Sequence, residues 1–198
     1  MYLYGASGHA KVIIDILEAN GVKIDGLFDD NKITGELVGY PISQYKPNAI
    51  DEIIISIGNN EIRKKIAERV NGKFINAIHP TAIISPHAKI GKGSVIMHGA
   101  IVQSEAIIGD HCIVNTGATI DHECIIGDFV HISPNASLCG NVVVGEGSQV
   151  GVGAVVVPGV RIGKWSLVCA GSVVTKDIPD NCIAAGNRCK VIKYIENK

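Results

Sequence analysis

From Ile78 to Val174 every sixth residue is Ile, Val or Leu, with no gap and no insertion. The series passes through Ile84, Ile96, Ile108, Ile120, Ile132, Val144, Val156 and Val168. Four residues after each of these positions stands a small or modest side chain, such as Ala100, Ala118, Cys124, Ala136 or Ser148. A period of six fits neither an amphipathic helix nor an alternating strand. It is the mark of a parallel β-helix built from hexapeptides. Three hexads make a coil of 18 residues, with one short strand on each side of a triangle, so 17 register positions give between five and six coils. Stacked coils pair like strands, about 4.8 Å apart. The aliphatic residue and the small one four later point inward, the small one at the crowded corner.

The chain before the hexads reads differently. Met1–Tyr4 is a short apolar run that ends in the turn Gly5-Ala6-Ser7-Gly8-His9. Residues Ala10–Asn20 carry Val12, Ile13, Ile16 and Leu17 at helical spacing, and Gly21 is a helix stop. Lys23–Phe28 reads as a second strand ending in Asp29-Asp30, and Ile53–Ile57 as a third, nearly all apolar as in a buried parallel sheet. Asn60 is placed to cap a helix over Glu61–Val70. This order predicts a small Rossmann-like α/β domain over residues 1–76, a β-helix over 77–176, and a tail over 177–198 that covers the open end of the prism.

Composition narrows the function classes. A net charge of −1 gives no reason to expect a nucleic-acid partner. No apolar run is long enough to span a membrane, and the N-terminus lacks the pattern of a signal peptide, so a cytoplasmic location is expected. The six cysteines form no CxxC pair, and Cys112 and Cys124 occupy the small-residue position of the hexad, so reduced buried thiols are expected.

Chemistry must come from residues that turn outward from the repeat. The segment Asp121-His122-Glu123, followed by His131 and Gly140, is the most suggestive. A carboxylate bonded to one imidazole nitrogen fixes the tautomer and raises the basicity of the other. Such a ring can accept a proton from an attacking amine or hydroxyl, and a glycine N–H nearby can hold an oxyanion. Gly140 lies 18 residues after His122, one coil away on the same edge, whereas His131 lies 9 residues after it, half a coil away. The two histidines therefore cannot meet within one subunit. If both serve one site, it lies between prisms, and a homotrimer is predicted. His79, His87, His98 and His111 read as structural, His98 and His111 as solvated corner residues. At the sheet edge, the Gly5, Ser7, Gly8 and His9 turn offers helix N–H groups to a phosphate. Asp29 and Asp30 could bind a ribose or base, and Gly58, Asn59 and Asn60 complete a nucleotide site. Only two of the glycines of a full dinucleotide fingerprint are present.

The motifs YGASGH at 4–9, FDD at 28–30, IGNNEIRKKI at 57–66, HP at 79–80, IDHECIIGDFVHISP at 120–134 and CGNVVVG at 139–145 carry a resemblance. With them the whole chain resembles the PglD/NeuD sugar acyltransferases of the hexapeptide superfamily, and most closely those acting on UDP-4-amino-sugars. The resemblance implies a left-handed β-helix, a homotrimer with active sites between subunits, acetyl-CoA as co-substrate and no metal. It implies His122 as general base, Glu123 behind it, and the Gly140 N–H against the thioester carbonyl. His131 would be a second active-site histidine in the cofactor cleft, and His9 would approach the substrate from the nucleotide domain. The tail departs from the family's Gly-x-Pro-Ala-Lys. It reads Gly186-Asn187-Arg188-Cys189-Lys190, so Arg188 or Lys190 could meet a phosphate of the cofactor instead.

The activity implied is transfer of an acetyl group to the 4-amino group of a UDP-linked 4-amino-4,6-dideoxy sugar, for bacterial glycan biosynthesis. Three other readings stay open. One is a sialic-acid-type O-acetyltransferase, which would want an anion-binding arginine where the hexads supply only Arg161. The others are a three-histidine zinc lyase on the same scaffold and a non-catalytic sugar-nucleotide sensor.

Overall fold

The computed structural model describes residues 1–31, 34–44 and 47–195. The last three residues of the expected tail and four residues of the expected N-terminal domain lie outside the described residues.

The N-terminal part is an open sheet of β1 (Tyr2–Tyr4), β2 (Gly26–Phe28), β3 (Glu36–Leu37), β4 (Tyr40–Ser43), β5 (Glu52–Ile55) and β6 (Lys73–Phe74) in the order β3-β4-β2-β1-β5-β6. All its pairings are parallel except β3 with β4. Helix α1 (Gly8–Ala19) links β1 to β2, and α2 (Asn60–Arg69) links β5 to β6. Chain order reverses on either side of β1, so the loops after β1 and β5 open together at one sheet edge.

Several local expectations are corrected. The second strand begins at Gly26, not Lys23, and the third ends at Ile55, because Ile57 leaves the sheet and packs over Gly5. The cap of α2 is Asn59, whose side chain accepts from Ile62 N at 3.0 Å, and not Asn60. The β3–β4 hairpin was not anticipated. Its turn places Val38 and Gly39 at φ 52° and 78°. Positive φ at both central residues normally selects Asn-Gly, and a β-branched Val there gives no warning in sequence.

The hexads form a prism of three parallel sheets. Its first face carries Ala77–Ile78, Val95–Ile96, Ile113–Val114, His131–Ile132, Gln149–Val150 and Leu167–Val168. The second runs from Ile83–Ile84 to Val173–Val174, and the third from Lys89–Ile90 to Arg161–Ile162. Every register position is the second residue of a two-residue strand and points inward. Coils pair at an offset of 18, as in Val95 with Ile113 and Ile96 with Val114. The core contains Ile96, Ile120, Ile132, Val150 and Val156, with Ala100, Ala118, Cys124 and Ala136 at the corners, all essentially buried. Cys112, Cys124, Cys139, Cys169, Cys182 and Cys189 form no disulfide.

The outward residues of the first face explain how the two parts join. Ala77, Val95, Met97 and Ile113 are buried against Leu3, Ala10, Ile13 and Ile14. The Asn20 side chain donates to Ile78 O at 2.9 Å, fastening the end of α1 to the first coil. The tail adds Cys182–Ala185 in parallel to Leu167–Val168 and then returns antiparallel as Lys190–Tyr194. Exposed Lys190 and Lys193 sit on this last strand, a feature that discourages further edge pairing.

Candidate active site

The edge between the second and third faces carries the imidazole–carboxylate pair. His122 Nδ1 and Glu123 Oε2 are 3.0 Å apart, both half-exposed. Glu123 occupies a corner at φ 58°, shared down the edge by Glu105, Asn141 and Gly159. Its N–H donates to Ser104 O at 3.0 Å, and the Asn141 side chain reaches its carboxylate at 3.4 Å. Gly140 stands one coil above. A Cβ on Gly140 would lie 2.6 Å from His122 Nε2, so the ring rests in space that only glycine leaves open. The Gly140 N–H makes no hydrogen bond among the described residues. A base nitrogen and an unspent N–H donor thus adjoin on an accessible edge, an arrangement suited to a tetrahedral oxyanion.

His131 lies elsewhere, on the first face, as the half-coil offset requires. Its Nε2 pairs with Asn115 Nδ2 at 3.0 Å. Burial, the Arg63 cation and His9 hold its pKa down at about 3, opposed by a hydrogen bond with the Gly58 backbone. The ring is therefore engaged at the junction with the nucleotide-side loop, and in this chain it faces that junction and not the His122 edge. His9 joins the same cluster. It is the second residue of α1, its Nε2 has no hydrogen-bond partner among the described residues, and burial followed by the Arg63 charge lowers its pKa to about 4.

Arg63 was missed in sequence, yet it organises this junction. Its side chain is 1% exposed. Nε donates to His111 O at 2.8 Å, Nη1 to Ile57 O and Gly58 O at 3.0 and 3.1 Å, and Nη2 to Asn60 Oδ1 and Phe129 O, each at 2.8 Å. The available signal was its place on the inward stripe of α2, one turn before Ile66 and Ala67. Asn60 also turns inward, donating to Gly147 O at 3.0 Å. Of the 58–60 loop, Gly58 and the capping Asn59 remain at the sheet edge.

The structure places Gly5, Ser7, Gly8, Asp29 and Asp30 at the same sheet edge, with some of their side chains already committed. Gly5 has φ 116°, and a Cβ there would strike Ile57 at 2.5 Å. Ser7 precedes α1 without a side-chain capping bond, and nothing lies within 4 Å of a Cβ built on Gly8. The start of α1 is thus open for an anion. Asp29 accepts from Ala6 N at 2.8 Å and Asn31 N at 2.9 Å, bracing the turn. Asp30 accepts from the Tyr4 hydroxyl at 2.7 Å and pairs with Arg69. Burial and Asp30 push the Tyr4 hydroxyl up to about 12.

Of the remaining histidines, one expectation is corrected. His111 is buried and not solvated, stacked on Phe129 at 5.2 Å and met edge-on by Phe74 at 4.6 Å. His79 stacks on His98 at 3.7 Å. In the tail, Gly186 N is bonded to Ser172 Oγ at 3.2 Å and Asn187 bridges to Val173, which sets Arg188 at the top of the second face, while Lys190 opens the returning strand. Among the described residues no group of three or more His, Cys, Asp or Glu is placed to hold a metal ion. None of their helices is long and apolar enough to cross a membrane.

Comparison with known proteins matches both parts of the fold. Residues 1–70 match the PglD N-terminal domain, and residues 87–122 match the bacterial transferase hexapeptide of six repeats. A curated relative, the UDP-N-acetylbacillosamine N-acetyltransferase of Bacillus subtilis, is 44% identical over 108 residues, covering 48% of this chain and 50% of its own. The chain spans half or less of the length of the curated relatives it matches. A variant of perosamine N-acetyltransferase from Caulobacter crescentus, solved with CoA and GDP-perosamine, superposes with a TM-score of 0.93 at 35% identity, over 97% of this chain and 96% of that one. The acetyltransferase domain of PglB from Neisseria gonorrhoeae gives a TM-score of 0.91 at 38% identity, over 96% and 98%. With both parts of the fold matched and the His122–Gly140 edge in place, the chain belongs to the PglD/NeuD family of hexapeptide sugar acetyltransferases.

Proposed function

We propose that the protein transfers an acetyl group from acetyl-CoA to the 4-amino group of a UDP-linked 4-amino-4,6-dideoxy sugar. The observation that carries the reading is the contact between the His122 ring and Gly140, with Glu123 bonded to the other ring nitrogen. The relatives supply the substrate class: one acts on a UDP-linked bacillosamine, another binds GDP-perosamine and CoA. The Rossmann-like edge, with the open start of α1 and Gly58-Asn59, would hold the nucleotide.

In the reaction, His122 takes a proton from the amine as its nitrogen bonds to the thioester carbon. The Gly140 N–H would face the developing oxyanion. Collapse breaks the carbon–sulfur bond, and the thiolate leaves with the proton that His122 returns. Amide and CoA thiol are the products, and no acyl-enzyme is required. Glu123 keeps Nε2 free to act by holding Nδ1.

The second partner of the site is another copy of the chain. Ile83 and Val155 on the second face, and Ile107 and Ile125 on the third, are exposed on both sides of the His122 edge. Apolar faces beside a reactive edge favour a trimer with the cleft between prisms. Its left-handed winding and the domain limits 1–76, 77–176 and 177–198 belong to the same reading. The zinc-lyase alternative loses His131, whose Nε2 is already paired with Asn115.

The test is thiol release from acetyl-CoA with the UDP-amino-sugar, wild type beside His122→Ala. Release that needs the sugar and collapses in the variant supports base, donor and acceptor together. Wild-type turnover by His122→Ala would sink the mechanism. Release with a hydroxyl sugar in place of the amine would favour O-transfer.

A further inference from the structure

Arg63 is a buried cation that pairs with no carboxylate among the described residues. Each of its five N–H groups donates to an oxygen, four of them main-chain carbonyls. Two of those carbonyls, Ile57 and Gly58, belong to the loop that leaves the sheet edge. Two others, His111 and Phe129, sit on adjacent coils of the prism at one edge. The fifth acceptor, Asn60, is itself fastened to Gly147 O and Ser148 O one coil higher. One planar group thus ties the loop to three successive coils. A burial this costly is tolerated only with every donor satisfied, and rigid forked geometry is what Arg supplies and Lys does not. The same loop touches His131 through the Gly58 backbone, and His9 approaches from α1.

We propose that Arg63 is a positioning residue for the acceptor: it holds the Ile57–Gly58 loop in register with His131, so that a nucleotide-linked amino sugar gripped at the sheet edge is held at a fixed height along the prism. This rests on the acceptor reading above. Arg63 touches no reacting atom. Its effect falls on binding of the sugar nucleotide and not on the donor, whose cleft lies along the His122 edge.

The test compares wild type with Arg63→Lys, and with the milder Asn60→Ala should the first fold poorly. Titration calorimetry would measure Kd for the UDP-amino-sugar and, separately, for CoA, with steady-state KM for each substrate beside them. Arg63→Lys should raise Kd and KM for the sugar nucleotide tenfold or more and leave those for CoA within twofold. Asn60→Ala should do the same about threefold. Unchanged sugar-nucleotide affinity in a folded variant overturns the inference and leaves the activity standing. Equal weakening of both ligands, tracking a lower Tm, also overturns it, because a purely structural role predicts that. Failure of wild type to bind any sugar nucleotide would remove the acceptor reading and this inference with it.

Discussion

Replacing Gly140 by Ala tests the site with one methyl group. The new Cβ would lie 2.4 Å from His122 Cε1, 2.6 Å from Nε2 and 3.1 Å from Nδ1. Gly140 is not among the positive-φ residues, so its backbone accepts Ala. The whole clash therefore falls on the imidazole, which is 54% exposed and free to swing into solvent. Swinging breaks the 3.0 Å contact with Glu123 and takes Nε2 from the Gly140 N–H. Loss of an oriented general base lowers kcat by about 10²–10⁴, or about 3–5 kcal/mol of barrier. Folding stability should move by no more than about 0.5 kcal/mol, as for other surface changes. Thiol release gives kcat, and a thermal melt gives stability. In a His122→Ala background there is no ring to displace, so adding Gly140→Ala should cost less than about threefold, a strong departure from additivity. Wild-type kcat in Gly140→Ala, or an equal cost in both backgrounds, would refute the contact as the basis of activity.

Glu123→Gln should keep the fold and lower kcat about 10- to 100-fold through loss of the Nδ1 carboxylate contact, measured by the same thiol assay. Acid should destabilise the protein: burial holds His9 and His111 at about 4 and His131 at about 3, below the ordinary 6.5. Below pH 6.5 the unfolded chain binds more protons, so stability is full above that pH and falls toward pH 4 by up to about 1.4 kcal/mol per unit for each histidine; urea midpoints from pH 7.5 to 5 check this, and a flat profile contradicts it. Ile120→Ala, fully buried in the prism, should cost about 2–5 kcal/mol by urea unfolding. Ile125→Glu should dissociate the proposed trimer and abolish activity, read by light scattering beside the thiol assay; an intact trimer would remove Ile125 from the interface.

The prism was legible because its rule is strictly local: a fixed inward position every six residues, with a small corner residue four later. His122, Glu123 and Gly140 followed, since an offset of 18 places residues on one edge without further information. The junction was not legible in this way. Asn60 was read as a helix cap, and Arg63 drew no reading at all. Their true partners, at Phe129, His111 and Gly147, lie 48 to 87 residues away. Main-chain carbonyls carry no residue identity, so no side-chain complementarity announced them. Asp29 and Asp30 were placed at the correct edge, but their commitments to the Ala6 N–H, Tyr4 and Arg69 depend on loop geometry.

The regular repeat also gives a reason for the proposed chemistry to sit at this rung of the edge. Pro86, Ser104, His122, Gly140, Pro158 and Lys176 follow one another at intervals of 18. The backbone repeats with them: Glu123 N donates to Ser104 O, Asn141 N to His122 O and Gly159 N to Gly140 O, each at 3.0 Å. An imidazole at this position leans toward the residue one coil above, as His122 does toward Gly140. In that column only Gly140 lacks a Cβ. A histidine moved up one coil would meet Pro158, and one moved down would meet the side chain at 122. Backbone symmetry offers the edge many equivalent rungs, but side-chain volume leaves one where a base nitrogen can lie beside an unspent N–H. On the proposed reading, the position of the active site along the prism is therefore set by a missing methyl group as much as by the histidine itself.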